Sequence, residues 1–328
     1  MDIAERLSRL EVFSHLSLPQ IEQLALCVTQ VVFEDGETIL KEGDSTVEAY
    51  VIDGGRVRIL RETAYGQYPL ATLGTGDIFG ETSFVDRHTR SGNAAALGKT
   101  SLLVLNADAL AELMARDQRV GLAIYWAFWK SLSKKLRATN ERLTQFFSQG
   151  GKAPASAPDG PKRPTGEFRI DMAAKRSLFM EQKLAALEIN FLASLSQEKN
   201  FAPGEQIFRD GDPGDAMYVI LQGRVMISKF IPGAGEEALA FLERGDYFGE
   251  MALIDQAPRS AQARAHDEGA VVLAIPGEVV NGLLDVNKVS SLPLLKILCG
   301  LVTKRLRELD DKIVGWYILA GGESNQQV

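Results

Sequence analysis

Two kinds of apolar spacing alternate along the chain. Short runs rich in Val, Ile and Tyr, broken by Gly and Asp, fill the stretches around Phe33–Leu60 and Phe201–Ser228, and runs of this kind predict strands. One of them, AMYVILQGRVMI, sets two apolar runs about Gln222–Gly223 and predicts a hairpin. Several such strands at close spacing predict an antiparallel barrel or jelly roll. Two longer stretches carry a helical period instead. The first is Ala109–Phe147, with Leu132, Leu136 and Leu143 on one stripe; the second is Leu292–Leu319, with Leu298, Leu301, Val302, Leu306, Leu309 and Ile313 in phase. The expected class is α+β: two antiparallel β-jelly-roll (double-stranded β-helix) barrels, each flanked by helices and followed by a long C-terminal helix.

The pattern occurs twice because the sequence does. Phe33–Leu60 reads FEDGETILKEGDSTVEAYVIDGGRVRIL and Phe201–Ser228 reads FAPGEQIFRDGDPGDAMYVILQGRVMIS. Without a gap, Gly36, Glu37, Gly43, Asp44, Tyr50, Val51, Ile52, Gly55, Arg56 and Val57 each meet an identical partner. After a slip of one residue the match resumes at GDIFGE (76–81) and GDYFGE (245–250). Internal repetition of this kind defines the architecture. Between the copies SQGGKAPASAPDGPKRPTGE, residues 148–167, has the Gly, Pro, Ala and Ser content of a flexible linker. Its Lys162 and Arg163, ahead of Pro164 and Thr165, read as solvated charges. The expected domains are 1–147 and 168–320, with the linker between them and a disordered tail at 321–328.

Composition narrows the function classes. The chain has 328 residues, 45% hydrophobic and 24% charged, with a net charge of −7. That acidity argues against general affinity for nucleic acid or anionic membrane. Cys27 and Cys299 stand far apart, in no ligand-like spacing, and read as buried thiols in a reducing, cytoplasmic setting. His15, His88 and His266 are scattered and form no metal constellation. The most apolar segment, GLAIYWAFW, is about half the length of a membrane span. GTGDIFG (74–80) has the wrong spacing for a dinucleotide loop and reads as a β-turn. No catalytic arrangement has local support, so an enzyme is not expected.

The chemistry concentrates in FGEMALIDQAPRSAQARA (248–265). Gly249 allows close backbone approach, Glu250 sets a carboxylate beside it, and Met251 and Ala252 open a short helix whose first N–H groups suit an anion. Nine residues after the carboxylate, Arg259 offers a planar fork matched to phosphate. A carboxylate cannot share that phosphate, so its natural role is to accept from a sugar hydroxyl. Together they describe a site for a sugar phosphate. The alternative is a Glu250–Arg259 salt bridge that merely closes a loop. Against it, the first copy repeats the arrangement: Gly80, Glu81 and Arg90 at the same separation, with Ser91 following as Ser260 follows Arg259.

Phe248–Ala261 closely resembles the phosphate-binding cassette of the cyclic-nucleotide-binding domain family, which includes the bacterial catabolite activator protein and the regulatory subunit of cAMP-dependent protein kinase. The resemblance spans nearly the whole chain outside the linker. It implies that Glu250 holds the ribose 2′-hydroxyl and Arg259 the cyclic phosphate, assisted by Ser260 and the amides of Met251 and Ala252. In the first copy Glu81 and Arg90 keep the charges. Thr82 and Ser83 stand where the second has Met251 and Ala252, Thr89 replaces Pro258, and Gly92 replaces Ala261. That site is expected to be weak, altered or empty. Aligning KKLRATNERL (134–143) and KRLRELDDKI (304–313) with the family's long helix implies base contacts at Thr139 and Asn140 for the first copy and at Asp310, beside Leu309, for the second. An aspartate accepts from adenine's amino group and repels guanine's carbonyl; the plainer reading is a solvent-facing acid. The resemblance leans the same way: kinase relatives that respond to cGMP commonly carry threonine after the cassette arginine, and serine stands there in both copies, which implies cAMP, with cGMP the alternative ligand.

The expected function is a cyclic-nucleotide receptor that changes conformation on binding and signals through a separate effector protein. No cofactor beyond the nucleotide is implied. The stretch after the last helix is too short for a helix-turn-helix module, so direct DNA binding is not expected. Fewer than twenty residues precede the first copy, leaving little room for a kinase-inhibitor segment. A homodimer through the long helices fits the pattern. The aromatic groups Tyr125, Trp126, Phe128 and Trp129, and Trp316 with Tyr317, read as core first and as base caps or a partner surface second. The rival classes are a scaffold with degenerate cassettes and a sensor of another nucleotide, such as a cyclic dinucleotide.

Overall fold

The computed structural model describes residues 2–148, 195–231, 235–254 and 256–319. Residues 149–167 of the expected linker, and the expected tail at 321–328, lie outside these. The described residues divide into two compact units. Those up to Lys135 join those from Val286 onwards, and Leu136–Asp285 form the other. No helix among the described residues is long and apolar enough to cross a membrane.

The first unit opens with α1 (Ile3–Ser8), α2 (Leu18–Ala25) and a six-stranded antiparallel sheet. Its strands are β1 (Val28–Phe33), β2 (Thr38–Leu40), β3 (Ala49–Thr63), β4 (Gly66–Gly74), β5 (Ile78–Phe79) and β6 (Asn93–Leu105). They run in the order β1-β6-β3-β4, with β2 on β6 and β5 on β3. The sheet is a roll with open edges rather than a closed barrel. Alternate residues of β3 and β6 turn inward to a core of Tyr50, Ile52, Val57, Phe79, Ala94 and Leu102. Tyr50 stacks on Phe79 at 4.9 Å.

The second unit repeats the plan with β7 (Gln197–Phe201), β8 (Gln206–Phe208), β9 (Ala216–Ile231), β10 (Gly235–Leu242), β11 (Tyr247–Phe248) and β12 (Gln262–Pro276). The order is β10-β9-β12-β7. Tyr218 stacks on Phe248 at 5.0 Å, in a core with Ile220, Val225, Ala263 and Val272.

The hairpin expected at Gln222–Gly223 is absent: β9 passes through it as one strand, as β3 does at Gly55. Each glycine sits at positive φ, +92° at Gly55 and +81° at Gly223. There the pairing with β6 or β12 shifts register. A glycine bulge bends a long strand without ending it, so one strand serves both ends of the roll.

The helix expected over Ala109–Phe147 is two, α4 (Ala107–Arg116) and α5 (Gln118–Ser148), broken at Asp117. Asp117 leaves the helical region at φ −125°, ψ 99°. Its carboxylate accepts from the Arg119 amide at 2.8 Å and from Gln20 Nε2 at 2.8 Å. These bonds, the Gln20 one foremost, hold its pKa below the usual range. An aspartate that caps a new helix start outweighs an unbroken apolar period.

After β12 come α7 (Gly277–Leu283) and α8 (Leu292–Leu319), preceded by the one-turn α6 (Met251–Ile254) of the second cassette. Helix α8 has the span its sequence period predicts. The boundaries 168–320 assign it to the second copy, yet it joins the unit of the first roll. Tyr317 packs 4.7 Å from Tyr68, Arg61 pairs with Asp311 at 2.9 Å, and Cys299 Sγ lies 3.5 Å from the Tyr125 carbonyl. Its apolar stripe finds its cover there. Phe128 and Trp129 are fully buried, core residues of α5.

A Cβ on Gly223 would fall 2.0 Å from the Gly269 carbonyl oxygen, and one on Gly55 2.6 Å from that of Lys99. Gly223→Ala and Gly55→Ala are each expected to destabilise by roughly 2 kcal/mol or more, clash added to the left-handed penalty. Thermal unfolding checks this: a shift of several degrees downward is expected for each.

Candidate functional site

Each cassette is held by backbone bonds that the repeated residues supply. The Gly43 amide donates to the Arg90 carbonyl at 3.0 Å, and the Arg90 amide to that of Asp44 at 2.9 Å. In the second roll Gly211 donates to Arg259 and Arg259 to Asp212, both at 2.9 Å. The repeated Gly-Asp turn therefore clasps the peptide of the cassette arginine from both sides. Asp77 and Asp246 close the other approach, their main chain bonded to Ile52 and Ile220 at the start of the long strands.

Under this loop lies the guanidinium. Arg90 and Arg259 are each 3% exposed, and the acids Glu81 and Glu250 are 0% and 1% exposed. Arg90 Nη1 donates to the Gly80 carbonyl at 3.0 Å, Nη2 to that of Glu48 at 2.9 Å, and Nε to Thr46 Oγ1 at 2.9 Å. Arg259 Nη1 donates to the Gly249 carbonyl. Its Nη2 reaches the Ala216 carbonyl at 2.7 Å and Asp215 Oδ1 at 3.2 Å. The carbonyl acceptors are thus the same in both copies. The Nε partner is not: Gly214 stands where the first copy has Thr46, and Arg259 Nε is buried without a hydrogen-bond partner. The guanidinium lies instead against the Phe208 ring, 4.3 Å from its centroid, a cation–π contact. Burial pulls the pKa of Arg90 down, partly offset by Tyr50, Glu48, Asp44 and Glu81.

The glycines before the acids are required by these arginines. Gly80 and Gly249 have φ +75° and +78°. A Cβ would lie 2.8 Å from Arg90 Nη1 in one and 2.7 Å from Arg259 Nη1 in the other. Gly92, where the second copy has Ala261, has a local reason too: a Cβ would lie 2.8 Å from the Leu60 carbonyl oxygen.

Glu81 begins the short helix α3 (Glu81–Asp86), and no salt bridge joins it to Arg90. Its Oε1 accepts from Lys135 Nζ at 2.6 Å and from Ser131 Oγ at 2.9 Å, both on α5, while Oε2 is buried without a partner. Thr82 and Ser91 are half-buried. Ser83 is fully buried, its Oγ 3.4 Å from the Thr89 carbonyl. In the second cassette Met251 and Ala252 are buried in α6. Ser260 is half-buried, and its carbonyl accepts from Lys229 Nζ at 3.0 Å.

The helix residues are distributed otherwise than the alignment implies. Thr139 and Asn140, assigned to the first copy, are buried and fall in the unit that holds the second cassette. Asp310, assigned to the second, is half-buried in the unit that holds the first. Sequence reasoning missed Lys135, Thr46 and Arg307. Arg307 grips Asp86 with Nε at 2.7 Å and Nη2 at 3.1 Å. The signal for it was present in the paired KKLR (134–137) and KRLR (304–307).

A small β-roll with a left-handed glycine, a buried carboxylate and a buried guanidinium is present twice in tandem. The chain belongs to the cyclic nucleotide-binding domain family, which it matches over residues 30–117 and 198–287. It is similar to a cGMP-dependent protein kinase of Caenorhabditis elegans, 24% identical over 86% of this chain and 30% of the kinase. It is also similar to the cAMP-dependent protein kinase regulatory subunit of Dictyostelium discoideum, 26% identical over 79% of this chain and 66% of the subunit. The chain thus spans less than a third of the kinase it matches. Among solved structures it is similar to the regulatory domain of Toxoplasma gondii PKA with cAMP, at 20% identity and TM-score 0.32, over 88% of this chain and 93% of that one.

The Glu81–Lys135 bond joins a buried acid to a partly exposed base, so its coupling sits below that of a fully buried pair. Glu81→Gln and Lys135→Met are each expected to cost roughly 1–3 kcal/mol. In a double-mutant cycle by urea unfolding, a coupling of about 1–2 kcal/mol is expected. Strict additivity would contradict the pairing.

Proposed function

We propose that the protein is a cAMP receptor whose occupancy is passed to a separate effector protein. One observation carries the reading. Both rolls bury an acid and an arginine beside a left-handed glycine. Burying such charges is costly, and an anion with an adjacent hydroxyl gives both a purpose. The family match supports a cyclic nucleotide as ligand. Adenine is supported by Ser91 and Ser260 after the cassette arginines, where kinase relatives that respond to cGMP commonly carry threonine. The relatives are cyclic-nucleotide-dependent kinases or their regulatory subunit, which supports a protein kinase as the class of effector.

The second cassette is the stronger site in this reading. Arg259 retains a buried N–H without an acceptor, and a phosphate oxygen is the acceptor it lacks. In the first cassette Thr46 already takes that donor. A ligand there gains less.

Thermal unfolding with cAMP, cGMP and a cyclic dinucleotide tests the proposal. At about 100 times its dissociation constant, cAMP adds roughly 2.7 kcal/mol to the unit that binds it, a rise of several degrees. The rise is expected to vanish in Arg259→Ala and in the milder Arg259→Lys, and to persist largely in Arg90→Ala. No shift with any nucleotide would sink the proposal in favour of a scaffold.

A further inference from the structure

The peptide that precedes each cassette arginine is capped by a second arginine. In the first unit Arg307 Nη1 on α8 donates to the Thr89 carbonyl at 3.0 Å. The same guanidinium reaches Ser83 Oγ at 3.3 Å and holds Asp86 with two N–H groups. In the second unit Arg137 Nη1 on α5 donates to the Pro258 carbonyl at 2.8 Å. Thr89 and Pro258 are equivalent positions, each directly before the cassette arginine. Arg137 and Arg307 are equivalent too, fourth in KKLR and KRLR. The repeats are crossed: the helix that follows the second copy caps the first cassette, and the end of the helix that follows the first copy caps the second.

We infer that Arg307 and Arg137 are positioning residues for the two nucleotide sites, each acting on the cassette of the other repeat. The inference rests on the reading of the cassettes as cyclic-nucleotide sites. The physical basis is short. One end of the loop is tied by the Gly-Asp turn through the amide and carbonyl of the cassette arginine. The carbonyl of the preceding residue is the other polar group of that peptide link, and a guanidinium at hydrogen-bond distance fixes its plane. The plane sets the direction in which the cassette arginine leaves the backbone. Arg307 makes the tighter cap, because one planar fork serves a carboxylate and a carbonyl together. Lysine cannot reproduce that geometry. Crossed caps also tie each site to the helix that follows the other copy in sequence.

Hydrogen–deuterium exchange on the full chain without nucleotide reads the caps directly. Arg307→Gln is expected to speed exchange about tenfold or more for amides from Ser83 to Gly92, leaving those from Ala252 to Ala261 unchanged. Arg137→Gln is expected to do the reverse, by a smaller factor. Arg307→Lys should restore only part of the protection. In cAMP titrations, Arg307→Gln in an Arg259→Ala background should weaken the first site roughly tenfold. Arg137→Gln in an Arg90→Ala background should weaken the second. If each substitution loosens the cassette of its own repeat, or neither loosens any, the inference is wrong. Crossed exchange in a chain that binds no cAMP would overturn the proposed function and leave the caps standing.

Discussion

Burying an arginine costs several kcal/mol unless its N–H groups find acceptors, and here the acceptors are carbonyls that a single loop geometry presents. Gly80 and Glu48 supply them in the first roll, Gly249 and Ala216 in the second. One carbonyl of each pair comes from the glycine ahead of the cassette helix and the other from the start of the longest strand. Holding both within reach requires the stacked Tyr50–Phe79 or Tyr218–Phe248 pair beneath them. It also requires the left-handed glycine that leaves room for the guanidinium and the Gly-Asp turn that clasps the arginine backbone. Gly43, Asp44, Tyr50, Phe79 and Gly80, each identical in the second copy, are residues that this one burial demands.

The same constraint explains how the copies have diverged. Arg90 has three protein acceptors and lies over Tyr50. Arg259 keeps its two carbonyls and reaches Asp215 Oδ1, loses the threonine to Gly214, and gains the Phe208 face. A Cβ at Gly214 would fall 2.5 Å from that of Ala252. Threonine is therefore excluded by the tighter packing of the second cassette helix. The first cassette is a self-satisfied version of the second, and the polar Thr82 and Ser83 belong to that version.

Much of this was legible in the sequence. The repeat exposed the two rolls, and the apolar period of Leu292–Leu319 matched the helix that forms. The spacing of Glu81 to Arg90 and Glu250 to Arg259 marked charges that the fold goes on to bury. Other features depend on distant partners. The two apolar runs about Gly223 look alike whether the glycine turns the chain or bulges it, and only the pairing with β12 decides. Asp117 breaks a continuous period because Gln20, far away in sequence, meets its carboxylate. The place of α8 is set by Tyr68, Arg61 and Asp86, none of which the helix's own pattern reveals. Arg307 belongs with these, for its signal was a repeated KxLR motif whose target lies on another element.

The central claim is that each buried guanidinium is there to receive a phosphate. Calorimetric titration of the full chain with cAMP and with adenosine, which carries the same base and ribose without the phosphate, isolates that contribution. The account predicts that cAMP binds at least about a hundredfold more tightly, the worth of charge-assisted hydrogen bonds to one buried arginine. Equal affinity for the two would contradict it, leaving the buried arginines as struts of the fold.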